Sequence, residues 1–175
     1  LTEDELRRMM TTRLRYKRQD YNRDMFLFSC FTGICYADMS TLTYDQLEQD
    51  ANGDWWISGN RQKTETKYVV KLLPYPLFLL DKYRGLAGNR YLFKLSSLDS
   101  IDDSLKNIAR ECGIDKQLSF HLARHTYATT ICLSNGVSLE TLSKMLGHKN
   151  ITTTQIYAKV THPMIDREVR SEERR

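Results

Sequence analysis

The sequence predicts a mainly α-helical domain with a small antiparallel β-sheet, an α+β fold. Helix start signals (Ser, Thr, Asp or Asn) and glycine stop signals bracket most of the apolar-periodic segments. One stretch differs: WWISG and TKYVVKLL are rich in aromatic and β-branched residues and flank the polar NRQKTE, which is typical of a β-hairpin. The last third of the chain returns to helical patterns throughout.

The same signals place each element along the chain. Helices are predicted, in order, over residues 2–17, 21–31, 36–41, 76–85, 100–112, 119–136, 138–147 and 150–160, with a last charged helix after Pro163. The predicted caps are a Thr2–Glu5 capping box, Asp20, Ser119, Ser138 and Asn150, and the predicted stops are Gly33, Gly85, Gly113, Gly136 and Gly147.

Composition restricts the class of protein. A chain of 175 residues accommodates one domain with a substantial core. It has no apolar run of the roughly 20 residues needed to cross a membrane and no signal-peptide pattern, and it starts without Met, as a piece of a longer protein would. The four cysteines form no C-x-x-C pair, so we expect reduced thiols in a cytoplasmic protein. A net charge of +4 permits a polyanionic partner.

His121 and Arg124 are the first candidates for chemistry. They are three residues apart on one predicted helix, so their side chains share a face. The same pair could simply solvate the helix. His121 and His125, four apart, could instead bind a metal ion, but no acidic residue stands between them and no third ligand is evident.

The order of the motifs is more specific than any one of them. An H-x-x-R helix precedes Leu146-Gly147-His148, Tyr157 follows on the next helix, and Lys63 lies in the upstream hairpin. This pattern resembles the catalytic domain of the tyrosine recombinases, the phage-integrase family, from Leu1 to about Val160. It is most similar to integrases of Bacteroidetes mobile and conjugative elements, judged by FLFSCFTG, WWISGNRQKT and the block from FHLARHTYATT to TTTQIYAKV.

The resemblance implies a role for each residue. Tyr157 would attack a DNA phosphodiester, and Arg124 would bind the non-bridging oxygens in a two-pronged contact. His121 and His148 would hydrogen-bond to the same oxygens, and one would assist proton transfer from Tyr157. Lys63 would protonate the departing 5′ oxygen. The covalent 3′-phosphotyrosine conserves the bond energy, so neither a metal ion nor a cofactor is implied.

One position departs from the family pattern. The family usually carries a second arginine in a T-G-x-R segment, whereas this chain reads Thr32-Gly33-Ile34-Cys35. Our first hypothesis is that Arg23 on the preceding helix replaces that arginine, with Arg61 near Lys63 as second choice. The alternative is a weakened domain that binds DNA without cutting it.

The resemblance also predicts organisation and partners. Residues 1–160 would form the catalytic domain and residues 161–175 a charged segment that docks on a neighbouring subunit or is simply solvated, with the family's N-terminal core-binding domain absent from this chain. The partner would be double-stranded DNA, bound by a homotetramer of the full-length protein, while this fragment alone would be monomeric. A type IB topoisomerase, a silent DNA-binding module and a metal-dependent nuclease remain as alternative functions.

Overall fold

The computed structural model describes residues 1–158. Its helices are α1 (Glu3–Thr11), α2 (Lys17–Thr32), α3 (Tyr36–Met39), α4 (Pro74–Lys82), α5 (Leu98–Glu111), α6 (Phe120–Thr126), α7 (Leu139–Met145) and α8 (Ile151–Gln155), and its strands are β1 (Leu47–Gln49), β2 (Trp55–Asn60) and β3 (Lys67–Lys71). This composition confirms the predicted fold class. The predicted docking segment 161–175 and the helix after Pro163 lie outside the described residues.

The two N-terminal helices meet earlier in the chain than the sequence predicts. The capping box between Thr2 and Glu5 is confirmed. The first helix does not reach Lys17, however, because the backbone becomes extended at Thr12, where ψ is 127°. The second helix therefore starts at Lys17, and Asp20 lies inside it rather than capping it.

Helix α2 runs through the centre of the core. Its fully buried apolar residues are Met25, Phe26, Leu27, Phe28 and Cys30. The second half of α2 is apolar around its circumference because other elements cover it there. Phe26 meets Phe120 of α6 edge-to-face, with ring centroids 6.3 Å apart, so the H-x-x-R helix is anchored directly on this central helix.

The sheet has three antiparallel strands in the order β1-β2-β3. The predicted hairpin is confirmed as β2 and β3. The strand β1, by contrast, lies in a stretch that the sequence suggests is only a polar connection. It pairs Leu47 with Ile57, which is fully buried, and three residues are too few to show a periodic pattern in sequence.

The segment after α6 is not the single helix that the sequence predicts. A π-helical turn, Tyr127–Cys132, follows α6, and a 3-10 turn, Leu133–Asn135, completes the segment before Gly136. The hydroxyls of Thr126 and Thr129 each donate to a carbonyl four residues earlier, at 2.9 and 2.8 Å. Hydroxyls that bind back in this way compete with regular α-helical bonding.

Of the helix caps predicted in this region, one is confirmed and two are not. Ser138 caps α7 through its hydroxyl, which accepts the N–H of Thr141. Ser119 and Asn150 precede their helices but make no side-chain cap. At the start of α6, the carboxylate of Asp102 accepts the N–H of Phe120 at 2.7 Å instead. Among residues 1–158, no helix combines the length and the hydropathy needed to cross a bilayer.

Candidate functional site

One groove of about 350 Å³ brings together most of the residues singled out in the sequence. Its walls come from the β2–β3 turn, α6, the turn after α7 and the end of α8. The predicted site residues that line it are Lys63, His121, Arg124, His148 and Tyr157. Residues that are 94 positions apart in the chain, from 63 to 157, therefore face one space, which only the tertiary fold can arrange.

Arg124 is the buried centre of the groove, with 5% of its surface exposed. Its Nη1 donates to the carbonyl of Gly33 at 2.7 Å, and its Nη2 donates to the carbonyl of Leu146 at 2.6 Å. Burial lowers the pKa of Arg124, and the positive charge of Arg61 lowers it further. Two backbone carbonyls from different elements therefore hold this guanidinium in a fixed orientation.

His148 contacts Arg124 from the other side. Its Nε2 lies 3.0 Å from Arg124 Nη2, and its Nδ1 lies 2.7 Å from the hydroxyl oxygen of Thr154. Burial lowers the pKa of His148 to about 4, helped by the charges of Arg124 and Arg61. The imidazole is therefore neutral near pH 7.

Tyr157 lies beyond the last turn of α8 and is 7% exposed. Its backbone N–H donates to the carbonyl of Thr154 at 3.0 Å. Its ring is nearly parallel to that of His148, with centroids 6.5 Å apart, and meets the ring of His125 at 5.4 Å in an edge-on contact. Apart from the metal-binding alternative, the sequence assigns no role to His125, and the structure places its ring against the candidate nucleophile.

Two glycines make these close approaches possible. Gly33 has φ +71°, and a Cβ there would lie 2.4 Å from a ring carbon of Tyr127. Gly147 has φ +64°, and a Cβ there would lie 2.8 Å from Cγ of Arg61. Only glycine satisfies both the backbone angle and the packing at these positions. The glycine of the Leu-Gly-His motif therefore lets the β2–β3 turn pack closely against the groove.

Arg61, the second choice in the sequence, reaches the groove. Its Nη1 donates to the carbonyl of Leu146 at 3.1 Å, the same atom that Arg124 binds. Its Nε lies 3.0 Å from Asp38 Oδ2, as an ion pair in which the Nε–H is not aligned for a hydrogen bond. Cys35 lies beside this pair, 3.0 Å from the same carboxylate oxygen. A guanidinium thus stands next to the position where the family arginine is missing.

Arg23, the first choice, is held elsewhere and does not line the groove. Its Nη1 donates to the carbonyl of Thr12 at 2.7 Å, and its Nε and Nη2 pair with the carboxylates of Asp24 and Asp20 at 3.0 and 3.1 Å. Two ion pairs within α2 and a hydrogen bond to the carbonyl of Thr12 therefore hold Arg23 outside the groove, whereas Arg61, the second choice, lines it.

Lys63 and His121 occupy the exposed rim of the groove. Lys63 is in the tight turn between β2 and β3, where the N–H of Arg61 donates to the carbonyl of Thr66 at 2.9 Å. His121 also borders a second, more apolar cavity of about 200 Å³ beside Cys35. Within the described part of the chain, no cluster of three or more His, Cys, Asp or Glu side chains has a metal-binding arrangement.

Sequence reasoning missed two residues of the site, Asp38 and Thr154. Asp38 is a single carboxylate in a one-turn helix, which carries no recognisable signal. Thr154 is three residues before Tyr157, a helical spacing that puts both on one face. That spacing was available in the sequence, but nothing in it distinguishes Thr154 from the two threonines before it.

A tyrosine, an arginine and two histidines around one groove are the residue types of a class of site suited to holding a phosphate beside a nucleophile. Comparison with known proteins agrees with this class. Residues 1–163 match the model of the Phage integrase family, and the chain belongs to that family.

Individual relatives give the same assignment. The tyrosine recombinase XerA of Saccharolobus solfataricus is 43% identical over 136 residues, which are 77% of this chain and 43% of that protein. A crystal structure of a XerA recombinase matches this chain with a TM-score of 0.75 and 23% identity. The match covers 100% of this chain and 65% of the XerA chain. A XerH recombinase bound to palindromic difH substrate in a post-cleavage complex matches with a TM-score of 0.75 and 19% identity. That match covers 97% of this chain and 52% of the XerH chain. The chain thus spans between 43% and 65% of the length of these proteins.

Proposed function

We propose that this chain is the catalytic domain of a site-specific DNA recombinase, which cuts and rejoins DNA strands through Tyr157. The single observation that carries this proposal is the common groove, in which Tyr157 faces Arg124, His121 and Lys63. The groove combines a nucleophile with cations and hydrogen-bond donors, which is what transfer of a phosphodiester requires.

In the proposed reaction, the Tyr157 hydroxyl oxygen attacks the scissile phosphorus. The bond from phosphorus to the 5′ oxygen breaks, and the DNA 3′ end remains attached to tyrosine as a phosphodiester. Lys63 gives its proton to the departing 5′ oxygen, and His121, whose ring is exposed at the groove, takes the tyrosine proton. Attack by the 5′ hydroxyl of another strand reverses the step.

Arg124 and Arg61 supply the positive charge for the phosphate. Both guanidinium groups line the groove, and both donate to the carbonyl of Leu146, which holds them side by side. Two guanidinium groups next to the non-bridging oxygens stabilise the charge that builds up in the transition state. In this proposal Arg61 replaces the arginine that Cys35 cannot provide.

We further propose double-stranded DNA as the partner and integration or excision of a mobile element as the task. The basic balance of the chain and the DNA-bound XerH relative support the first part. The stretches FLFSCFTG and WWISGNRQKT, which resemble integrases of mobile elements, support the second. Assembly as a homotetramer and a cytoplasmic location stay predictions, as does the independence from metal ions and cofactors.

Covalent capture in EDTA tests the proposal. The full-length protein is incubated with a nicked duplex that carries a candidate attachment site, and protein–DNA adducts are scored on a denaturing gel. We expect an adduct with the wild-type protein and none with Tyr157→Phe, which keeps the ring but removes the nucleophilic oxygen. DNA binding without an adduct on several candidate sites would favour a silent DNA-binding module.

A topoisomerase would pass the same test, so a second assay separates the two activities. A recombinase joins strands from paired sites, whereas a type IB topoisomerase relaxes supercoiled plasmid that contains no such site. We expect recombinant product from plasmids with paired sites and no relaxation of a plasmid without them.

A further inference from the structure

Thr154 differs from every other residue of α8 in its surroundings. It is fully buried, whereas Ile151, Thr152, Thr153 and Gln155 are exposed. A buried hydroxyl needs a partner, and the partner here is the imidazole of His148, whose Nδ1 lies 2.7 Å away. The residue therefore contacts the groove through a histidine rather than directly.

The contacts of His148 determine which of its nitrogens carries the proton. A guanidinium has only donors, so at 3.0 Å from Arg124 Nη2 the Nε2 atom of His148 has to be the acceptor. A neutral imidazole then carries its proton on Nδ1, and that N–H donates to the Thr154 hydroxyl. The opposite tautomer would place an N–H against the N–H groups of Arg124.

We infer that Thr154 is a positioning residue for the proposed strand cleavage: its hydroxyl holds the Nδ1 proton of His148 and so keeps the Nε2 lone pair directed at Arg124. The effect on strand cleavage rests on the proposed function. The tautomer of His148 does not, because it is a property of the protein without DNA. This tautomer gives His148 a contact that distinguishes it from His121, because in the protein without DNA the Nε2 atom of His148 accepts from Arg124.

Thr154 also connects this contact to the nucleophile. Its carbonyl accepts the backbone N–H of Tyr157 at 3.0 Å, and the rings of His148 and Tyr157 lie nearly parallel, 11° apart. Thr154 therefore makes two contacts in the site. Its side chain binds His148, which contacts Arg124, and its main-chain carbonyl binds the backbone N–H of Tyr157. A change of the hydroxyl alone separates the two contacts, because it leaves the carbonyl in place.

The state of His148 can be measured directly. Full-length protein labelled with ¹⁵N at histidine reports the tautomer of each ring through the ¹⁵N shifts of Nδ1 and Nε2, and loss of one set of signals in His148→Gln assigns them. We expect the Nδ1–H form in the wild-type protein and in Thr154→Ser, and an Nε2–H population in Thr154→Val. An Nε2–H form in the wild-type protein would overturn the inference, whatever the activity.

Cleavage of a nicked duplex measures the consequence for the reaction. Valine matches threonine in shape, so Thr154→Val removes only the hydroxyl, and we expect cleavage about tenfold slower with unchanged DNA affinity, the effect of one lost hydrogen bond. Thr154→Ser restores the hydroxyl and should cleave within about threefold of wild type. Thr152→Val is the matched control on the exposed side of α8 and should behave as wild type.

A double-mutant cycle distinguishes positioning from a general loss of structure. If Thr154 acts through His148, Thr154→Val has no further effect on cleavage in a His148→Ala background. Equal slowing by Thr154→Val in both backgrounds would overturn the inference. If no protein forms an adduct, the proposed function fails while the tautomer result still decides whether the Thr154–His148 contact exists.

Discussion

Asp38 Oδ2 lies 3.0 Å from Arg61 Nε, and this ion pair joins helix α3 to the turn after β2. Asp38 is almost completely buried, and its second oxygen accepts the backbone N–H of Gln62 at 2.9 Å. One carboxylate thus holds both the side chain of Arg61 and the start of the turn that carries Lys63. Asp38 therefore helps to place two cations of the groove, Arg61 and Lys63.

The first prediction concerns Asp38→Asn. The amide keeps the shape but leaves Arg61 without its counter-charge, so we expect the free energy of unfolding to fall by about 1–3 kcal/mol. Urea denaturation of the chain measures the loss. Asp54→Asn is a suitable control, because Asp54 is paired with Lys71 at a much more exposed site, where an ion pair contributes little. Equal losses for both variants would contradict the prediction.

The second prediction compares two arginines. Lysine keeps the charge but lacks the separate nitrogens with which Arg61 contacts Leu146 and Asp38, so Arg61→Lys should slow cleavage of a nicked duplex by about 10- to 100-fold. Arg23→Lys should leave the cleavage rate of folded protein unchanged, because Arg23 does not line the groove. Single-turnover cleavage with saturating protein measures both.

A rescue experiment sharpens this comparison. If Arg61 replaces the family arginine, then Cys35→Arg should recover part of the activity lost in Arg61→Ala, because Cys35 and Arg61 both line the groove and both contact Asp38. Wild-type cleavage by Arg61→Ala would remove Arg61 from the site, and a loss that Cys35→Arg does not recover would show that Arg61 does not stand in for the family arginine.

The third prediction concerns Gly147→Ala. The new Cβ would lie 2.8 Å from Arg61 Cγ and 3.3 Å from the carbonyl oxygen of Thr66, at a backbone φ of +64°. Gly85 offers a matched control, since it also has positive φ, +78°, but nothing lies within 4 Å of its Cβ position. Strain alone costs about 1 kcal/mol, so we expect Gly147→Ala to be the more destabilising by about 1–2 kcal/mol in urea denaturation. Equal losses would mean that the turn moves away without cost.

The fourth prediction concerns pH. The pKa of His148 is lowered to about 4 by burial and by the charges of Arg124 and Arg61. The unfolded chain has the ordinary value of about 6.5 and binds the proton first. This contribution to stability is therefore fully present above about pH 6.5 and is lost as pH falls toward 4.

His148→Gln isolates that contribution. The variant has no imidazole to protonate, so the wild-type chain should lose more stability than the variant between pH 7 and pH 4.5. Urea denaturation at several pH values measures the difference. Parallel curves for the two proteins would show that His148 does not resist protonation in the folded state.

The sequence predicts the fold class and the main residues of the groove because these depend on local patterns. Glycine stops, helix caps and the aromatic and β-branched residues of β2 and β3 are signals within a few residues, and the H-x-x-R, Leu-Gly-His and Tyr157 motifs follow one another closely. Their meeting in one groove follows from a resemblance that covers nearly the whole chain.

The features that were not predicted depend on tertiary contacts. The choice between Arg23 and Arg61 depends on their ion pairs. Arg23 pairs with Asp20 and Asp24 away from the groove, whereas Arg61 pairs with Asp38 and lines the groove. The strand β1 needs β2 as its partner, and the π-helical turn interrupts a segment whose sequence pattern is that of a regular helix. None of these has a local pattern that a single sequence displays.

The carbonyl of Leu146 has a consequence for how this protein can change. It accepts from Arg124 and from Arg61, so the spacing of the two guanidinium groups is measured from one main-chain atom. No substitution at position 146 deletes a carbonyl. Replacing the Leu146 side chain therefore leaves in place the acceptor that the two guanidinium groups share.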